Sequence, residues 1–318
     1  MLSKVRHLKV TPRMVSAASL LALLAGWGAG SLAAVTPRNP AQDAVSAIEL
    51  VRATVASEVA ASNNSSTKYM FCDRKTGPQG SQTRIYVETR QAMAGMTTAY
   101  NDKPLTPQQL QSEEGRLAGI ADNPQQLARR QRQEKDEADR TLRIVKALPD
   151  AFLYDYDGAE TGTATLGKPG ERMVRLKFRP NPAYHAPSHV EDVLVGMQGF
   201  LLIDSVEHRI ARIDGTLFQE VSFGWGILGH LDKGGHFLVD QRDVGDNTWE
   251  VSRMSLSFTG KILLIKNLSM KSDEVFSDFR RVPDNTTFAQ GVEMLKAERV
   301  KLAENHGPRA AATDARSH

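Results

Sequence analysis

Apolar positions recur on two different periods along this chain. Between about Ala44 and Val59, the residues Val45, Ile48, Leu50, Val51, Val55 and Val59 return at helical spacing, and a polar Asn63-Asn64-Ser65-Ser66 stretch ends the helix they predict. The period then shortens to two. Strands are predicted at Lys68–Asp73 and Gln82–Thr89, joined by a Gly-containing turn at Thr76–Gly80, and at Gly95–Tyr100 before an Asn101-Asp102 turn. Residues 106–147 return to the helical period. Thr106-Pro107-Gln108-Gln109 combines a cap, a proline at the first helical position and a polar side chain two residues later, and Asn123-Pro124-Gln125-Gln126 repeats it, giving helices near 107–119 and 124–147. Leu142, Val145 and Leu148 gather at the apolar end of the second helix, which Pro149 closes.

From Phe152 onward the period is two almost without interruption. Strands are expected at the Phe152–Asp157 alternation, Met173–Phe178, Gly199–Asp204, His208–Asp214, Leu217–Phe223, His236–Arg242, Thr248–Phe258, Lys261–Asn267 and Lys271–Asp278. Met254, Leu256 and Phe258 alternate with Arg253, Ser255, Ser257 and Thr259, which sends one set to each sheet face. Gly215, Gly234-Gly235, Gly245 and Gly260 are read as turns. A last helix is expected near 287–303, with Thr287 and Gln290 as a capping box and Phe288, Val292, Leu295 and Arg299 on one face.

Strands that follow one another without a crossover helix pair antiparallel. The fold class is therefore α+β: a long, curved antiparallel β-sheet covered by helices, with a helical insertion and a C-terminal amphipathic helix. One domain is expected over 43–304, with 106–147 as the insertion and 305–318 as a flexible tail.

The start of the chain follows a different logic. Lys4, Arg6, Lys9 and Arg13 precede the apolar run Met14–Ala25, and Ser31-Leu32-Ala33 offers a small-x-small cleavage site, so 1–33 is expected to be an export signal and 34–42 a linker. The full chain carries 40 Lys+Arg against 37 Asp+Glu; without the four basic residues of 1–33 it carries 36 against 37, a net charge of −1. That balance argues against a nucleic-acid partner. No permanent membrane span is expected after cleavage. Cys72 is the only cysteine, so no intrachain disulfide forms, and its Tyr-Met-Phe-Cys setting reads as core packing.

Candidate chemistry is sparse. His185-Ala186-Pro187-Ser188-His189, followed by Glu191 and Asp192, has zinc-ligand residue types, but Pro187 disfavours the helix that would align two histidines, so no metal is expected. His230 and His236 flank Gly-rich turns and read as local hydrogen-bonding groups. Asp155, Asp157 and Glu160 lack a third partner for hydrolysis, and the chain has neither a Gly-x-Ser-x-Gly elbow nor a phosphate-binding loop. No catalytic residue and no cofactor are expected, and a hydrolase ranks last among the readings. Six residues are candidates for an apolar ligand pocket or for packing: Phe223, Trp225, Ile227, Phe237, Trp249 and Phe258.

The leader, the helix before the first strand, the antiparallel series with its helical insertion, and the runs Phe218–Gly226, Gly234-Gly235-His236-Phe237, Trp249-Glu250-Val251 and Phe258-Thr259-Gly260-Lys261 resemble the outer-membrane lipoprotein-sorting superfamily of LolA/LolB-like fold, over about 43–300. The resemblance implies a half-open β-barrel, or half-barrel, whose concave face and helical lid enclose an apolar space. It implies a non-catalytic periplasmic or cell-envelope protein that binds a lipid, an acyl chain or a lipidated protein, with another envelope protein as a further possible partner. The chain departs from a minimal carrier in its length and its insertion. It also lacks a cysteine after the leader, the site of a lipid anchor. The alternative is an exported scaffold that needs no cavity.

Overall fold

The computed structural model describes residues 46–64, 67–223, 229–262 and 266–305. The expected export signal, the linker and all of the tail after Asn305 lie outside them. In chain order the elements are α1 (Ala47–Asn64), β1 (Lys68–Gly77), β2 (Gly80–Val87), β3 (Ala94–Tyr100), β4 (Lys103–Pro104), α2 (Pro107–Ala121) and α3 (Pro124–Ala151). They continue with β5 (Phe152–Thr161), β6 (Arg172–Pro180), a 3-10 turn (Asp192–Gly196), β7 (Met197–Asp204), β8 (Arg209–Leu217), β9 (Val221–Phe223), β10 (Gly229–Leu231), β11 (His236–Asp243), β12 (Trp249–Ile262), β13 (Lys266–Val282) and α4 (Phe288–Asn305). The architecture is α+β, an open, mostly antiparallel multi-stranded sheet flanked by helices and ending in a C-terminal helix.

Two compact units divide the described residues, one made of 46–64 with 134–275, the other of 67–133 with 276–305; α3 and β13 contribute to both. The first unit carries the strand order β13-β12-β11-β8-β7-β6-β5 with antiparallel pairing throughout, and β9 and β10 form a short hairpin whose second strand pairs with the end of β12. Its core joins Leu50, Val51 and Val55 of α1 to Val145 and Leu148 of α3 and to sheet residues such as Leu176, Leu201 and Ile203. α1 begins at a cap that the sequence reading passed over. The Ser46 hydroxyl accepts from the Glu49 amide, while the Glu49 carboxylate accepts from the Ser46 amide and hydroxyl. One turn before its end, α1 sends Glu58 into the unit's interior. There its two carboxylate oxygens accept from Arg209 Nε and Nη2 at 3.0 and 3.1 Å, and one also accepts from the Ile210 amide at 2.8 Å.

The second unit carries the order β4-β3-β2-β1-β13, with β1 to β4 antiparallel. α2, the start of α3 and α4 supply Leu117, Ile120, Leu127, Phe288, Val292 and Leu295 to a core that also holds Met70, Ile85, Val87 and Met96. The Thr106–Gln109 box caps α2 in both directions, and Thr287 with Gln290 does the same for α4. Glu113 on α2 accepts from the Thr97 amide of β3 at 2.8 Å and from Arg116, whose guanidinium also donates to Gly95 O. Burial alone would raise the Glu113 carboxyl, but these donors together outweigh it and hold the group below its ordinary value.

Several local expectations change. The strand expected over Lys261–Asn267 is instead the end of β12 and the start of β13, with Lys261 paired to Asn267 and Ile262 to Lys266. Gly260 is not a turn. β12 runs straight through it, and the missing side chain lets the β10 backbone come close, since a Cβ there would collide with His230 O. The strand expected over 217–223 is broken, because the Leu217 and Phe218 amides donate to Gly235 O and Gly196 O and lead the chain out of the sheet line before β9 begins. α3 passes Pro149 and ends only at Ala151. The last carbonyls of the helix find other donors: Leu148 O accepts from the Tyr154 hydroxyl, Asp150 O from Asn181 Nδ2 and Ala151 O from the Asn181 amide.

Candidate apolar binding site

The first unit contains a cavity of about 100 Å³. It arises from three periodicities meeting at one place. On α3, Thr141, Ile144, Val145 and Leu148 fall at i, i+3, i+4 and i+7, one helical stripe. On β11, Phe237, Val239 and Gln241 share a face, as do Leu256 and Phe258 on β12 and Phe152 and Tyr154 on β5. Val193, Leu194 and Met197, around the 3-10 turn, complete much of the wall.

Strand register aligns part of the wall. Phe178, Gly199, Gly215, Phe237 and Leu256 form one continuous cross-strand row over β6, β7, β8, β11 and β12. Two neighbouring members are glycines, and a Cβ on Gly199 would collide with the backbone oxygen of Asp214. A Cβ on Gly215 would stand 2.8 Å from Met197 Sδ and 3.6 Å from Phe178 Cζ, both cavity-lining side chains. Gly215, expected as a turn, instead lies inside β8 and lets the Met197 side chain pack closely against the strand. In the next row Leu201, Ile213 and Val239 pair directly and their side chains also reach the cavity. The intervening residues Arg212 and Asp214 are tied elsewhere, Arg212 Nη2 to Asp240 Oδ2 at 2.8 Å and Asp214 to His236 Nε2 at 3.0 Å.

None of the lining residues is charged. Tyr154 presents its ring, while its hydroxyl donates to Leu148 O at 2.8 Å and burial raises its pKa. Thr141 and Gln241 are the other hydrogen-bonding side chains on the wall, and the buried Thr141 hydroxyl has no hydrogen-bond partner. Such a lining holds aliphatic or aromatic carbon by exclusion of water and offers no acid, base or nucleophile matched to a reaction.

The residues singled out from sequence fall in three places. Phe237 and Phe258 are half-buried and line the cavity. Trp249 does not line it: it packs with Met173, Leu202 and Ala211, and its indole N–H donates to Glu207 at 2.8 Å. Trp225, Ile227 and the side chain of Phe223 lie outside the described residues. Thr141, Ile144, Ile213 and Val239 were not among the candidates. Of these, the α3 stripe carried a legible signal, because its apolar end falls at helical spacing.

The polar candidates are engaged locally. His185 is exposed, His189 Nδ1 lies 2.7 Å from Asp192, and Ser188 hydrogen-bonds Glu191. Asp157 pairs with Arg175 at 3.0 Å and Lys177 at 2.9 Å, and Glu160 with Arg175 at 2.9 Å; Asp155 is exposed. Ligand atoms of Glu220, His230 and Asp232 lie within 4.8 Å of one another, but Asp232 already accepts from the Thr259 hydroxyl and Glu220 from that of Ser222. In the second unit, an open cleft of about 370 Å³ is lined by Thr97, Tyr100, Leu105, Gln108, Gln109, Ser112 and Glu113.

Cys72 sits on β1 in that unit, where burial first, then Asp278 and Asp73, push its thiol up to about 11. At neutral pH the folded protein is expected to react with a maleimide about 100-fold more slowly than the urea-unfolded chain, because the thiolate fraction controls the rate. Equal rates would contradict the buried placement.

Among the described residues no helix is long and apolar enough to cross a membrane. No protein-family model matches the chain. No curated protein matches it. A crystal structure assigned as an outer membrane lipoprotein-sorting protein domain from Vibrio parahaemolyticus is 12% identical, covering 77% of this chain and 97% of its own, with a TM-score of 0.28. At that distance neither a residue correspondence nor a ligand carries over. What the coordinates define is an α+β protein with an open antiparallel sheet and an uncharged, apolar cavity between one helix and the sheet of its first unit.

Proposed function

We propose that this protein is a non-catalytic component of the cell envelope that takes one aliphatic chain, from a lipid or a lipidated protein, into the cavity beneath α3. The supporting observation is the lining: apolar side chains from seven strands, one helix and the 3-10 turn segment meet around one space. Each methylene moved from water into such a setting contributes roughly 0.8 kcal/mol before ordering costs. At about 100 Å³ the cavity falls well below the roughly 300–1,000 Å³ of sites for drug-sized ligands. It therefore suits the end of a single chain, and a multiply acylated anchor would require α3 to move outward. Export by the N-terminal segment and residence in the periplasm or envelope belong to the same proposal.

Native mass spectrometry of the full-length gene product, purified gently from an exporting host, tests this. The expected result is a protein species with an acyl-bearing adduct that is lost on organic extraction and restored by adding a single-chain amphiphile. A spectrum with no adduct, together with no uptake afterwards, overturns the proposal and leaves a ligand-free scaffold.

A further inference from the structure

We infer that the chain this cavity accepts carries an uncharged hydrogen-bonding group, an alcohol or an ester, which pairs with Thr141 inside the site. The inference rests on the proposed binding of an aliphatic chain and adds the chemistry of its polar group.

Thr141 is only 9% exposed, and among the described residues its buried Oγ1 has no hydrogen-bond partner. A helical threonine ordinarily escapes that position by donating to the carbonyl four residues earlier. Thr54 of α1 does so, giving its hydroxyl to Leu50 O at 2.8 Å. Thr141 occupies the same kind of helical site, yet its hydroxyl makes no such bond. Valine would have the same shape without the burden of an unmatched hydroxyl, so the threonine destabilises the empty site. A polar group that enters with the ligand removes that burden.

The lining sets the charge of that group. Among the described residues no lysine, arginine or histidine faces the cavity, and the other polar side chain on its wall is Gln241, itself 3% exposed. A buried carboxylate or phosphate would therefore enter without a counter-ion, which is strongly unfavourable. Elsewhere in the same unit, two buried carboxylates are paired with guanidinium groups, Glu58 with Arg209 and Asp240 with Arg212. The cavity has no such arrangement. Alcohols and esters offer an acceptor to the threonine proton, and an alcohol also offers a donor to its lone pairs.

The test compares four probes of one chain length by calorimetric titration of the purified protein: dodecane, dodecanol, methyl dodecanoate and ionised dodecanoate. Dodecanol and the methyl ester are expected to bind about 5- to 10-fold more tightly than dodecane, the range of one net hydrogen bond. Dodecanoate is expected to bind at least about 10-fold more weakly than dodecanol. Thr141→Val is expected to erase the advantage of the alcohol and ester, leave dodecane unchanged and raise the Tm of the ligand-free protein. Thr141→Ser, which keeps the hydroxyl, is expected to keep the preference. Tight dodecanoate binding, or an unaltered preference in folded Thr141→Val, overturns the inference while leaving the chain-binding reading in place. Failure of all four probes, dodecane included, overturns that reading itself.

Discussion

Replacing Glu58 with alanine is expected to lower the free energy of unfolding by about 3–5 kcal/mol, the range for removing one partner of a buried ion pair. Glu58 is 2% exposed and satisfies three donors at once: two nitrogens of the Arg209 guanidinium and the Ile210 amide. Alanine would leave all three unmatched within the unit. Arg209 would keep the Trp249 ring, whose centre is 5.6 Å from its guanidinium, and the attraction of Glu207, neither of which supplies the paired acceptors of Glu58. Glu58→Gln should cost less, since its amide oxygen still accepts from Ile210 or Arg209. Urea unfolding followed by circular dichroism measures both. A loss below about 1 kcal/mol for the alanine variant, the size of an exposed ion pair, would show that the charge is not buried as described.

The second large effect concerns binding, with little change in stability. Val239→Trp is expected to weaken uptake of a single-chain amphiphile by at least about 10-fold, equivalent to about 1.4 kcal/mol. Val239 lies directly opposite Ile213 on the cavity wall, and an indole there occupies the space a ligand would fill. Overpacking a filled core costs about 1–3 kcal/mol, whereas insertion into existing space should cost less. Unchanged uptake with an unchanged melting temperature would mean that the chain binds elsewhere.

How much of this was readable from sequence follows from the range of the interactions involved. Helix starts at Thr106 and Thr287 were legible because a capping box is a contact between residues three apart. The Met254-Leu256-Phe258 face was legible because a strand's period is local. Phe237 and Phe258 stood out by size and hydrophobicity, and both reach the cavity. Trp249 stood out for the same reasons but packs in a different cluster, since side-chain size does not reveal which row of a sheet a residue joins. Gly215 read as a turn because the strand pairing that sets it beside Gly199, inside the sheet and under Met197, is not announced by the glycine itself. Thr141 was hidden by its neighbours. In a charged helix with an apolar end, one threonine on the apolar stripe looks ordinary until its hydroxyl is found without a partner.

The central claim is that an aliphatic chain enters the space between α3 and the sheet of the first unit. Intermolecular NOEs between the methylenes of bound dodecanol and the methyl groups of Ile144, Ile213, Val239 and Leu256 test it directly. The account predicts cross-peaks to all four, from one helix and three strands, lost together in Val239→Trp. Cross-peaks confined to residues outside this set, or none at saturating ligand, would contradict it.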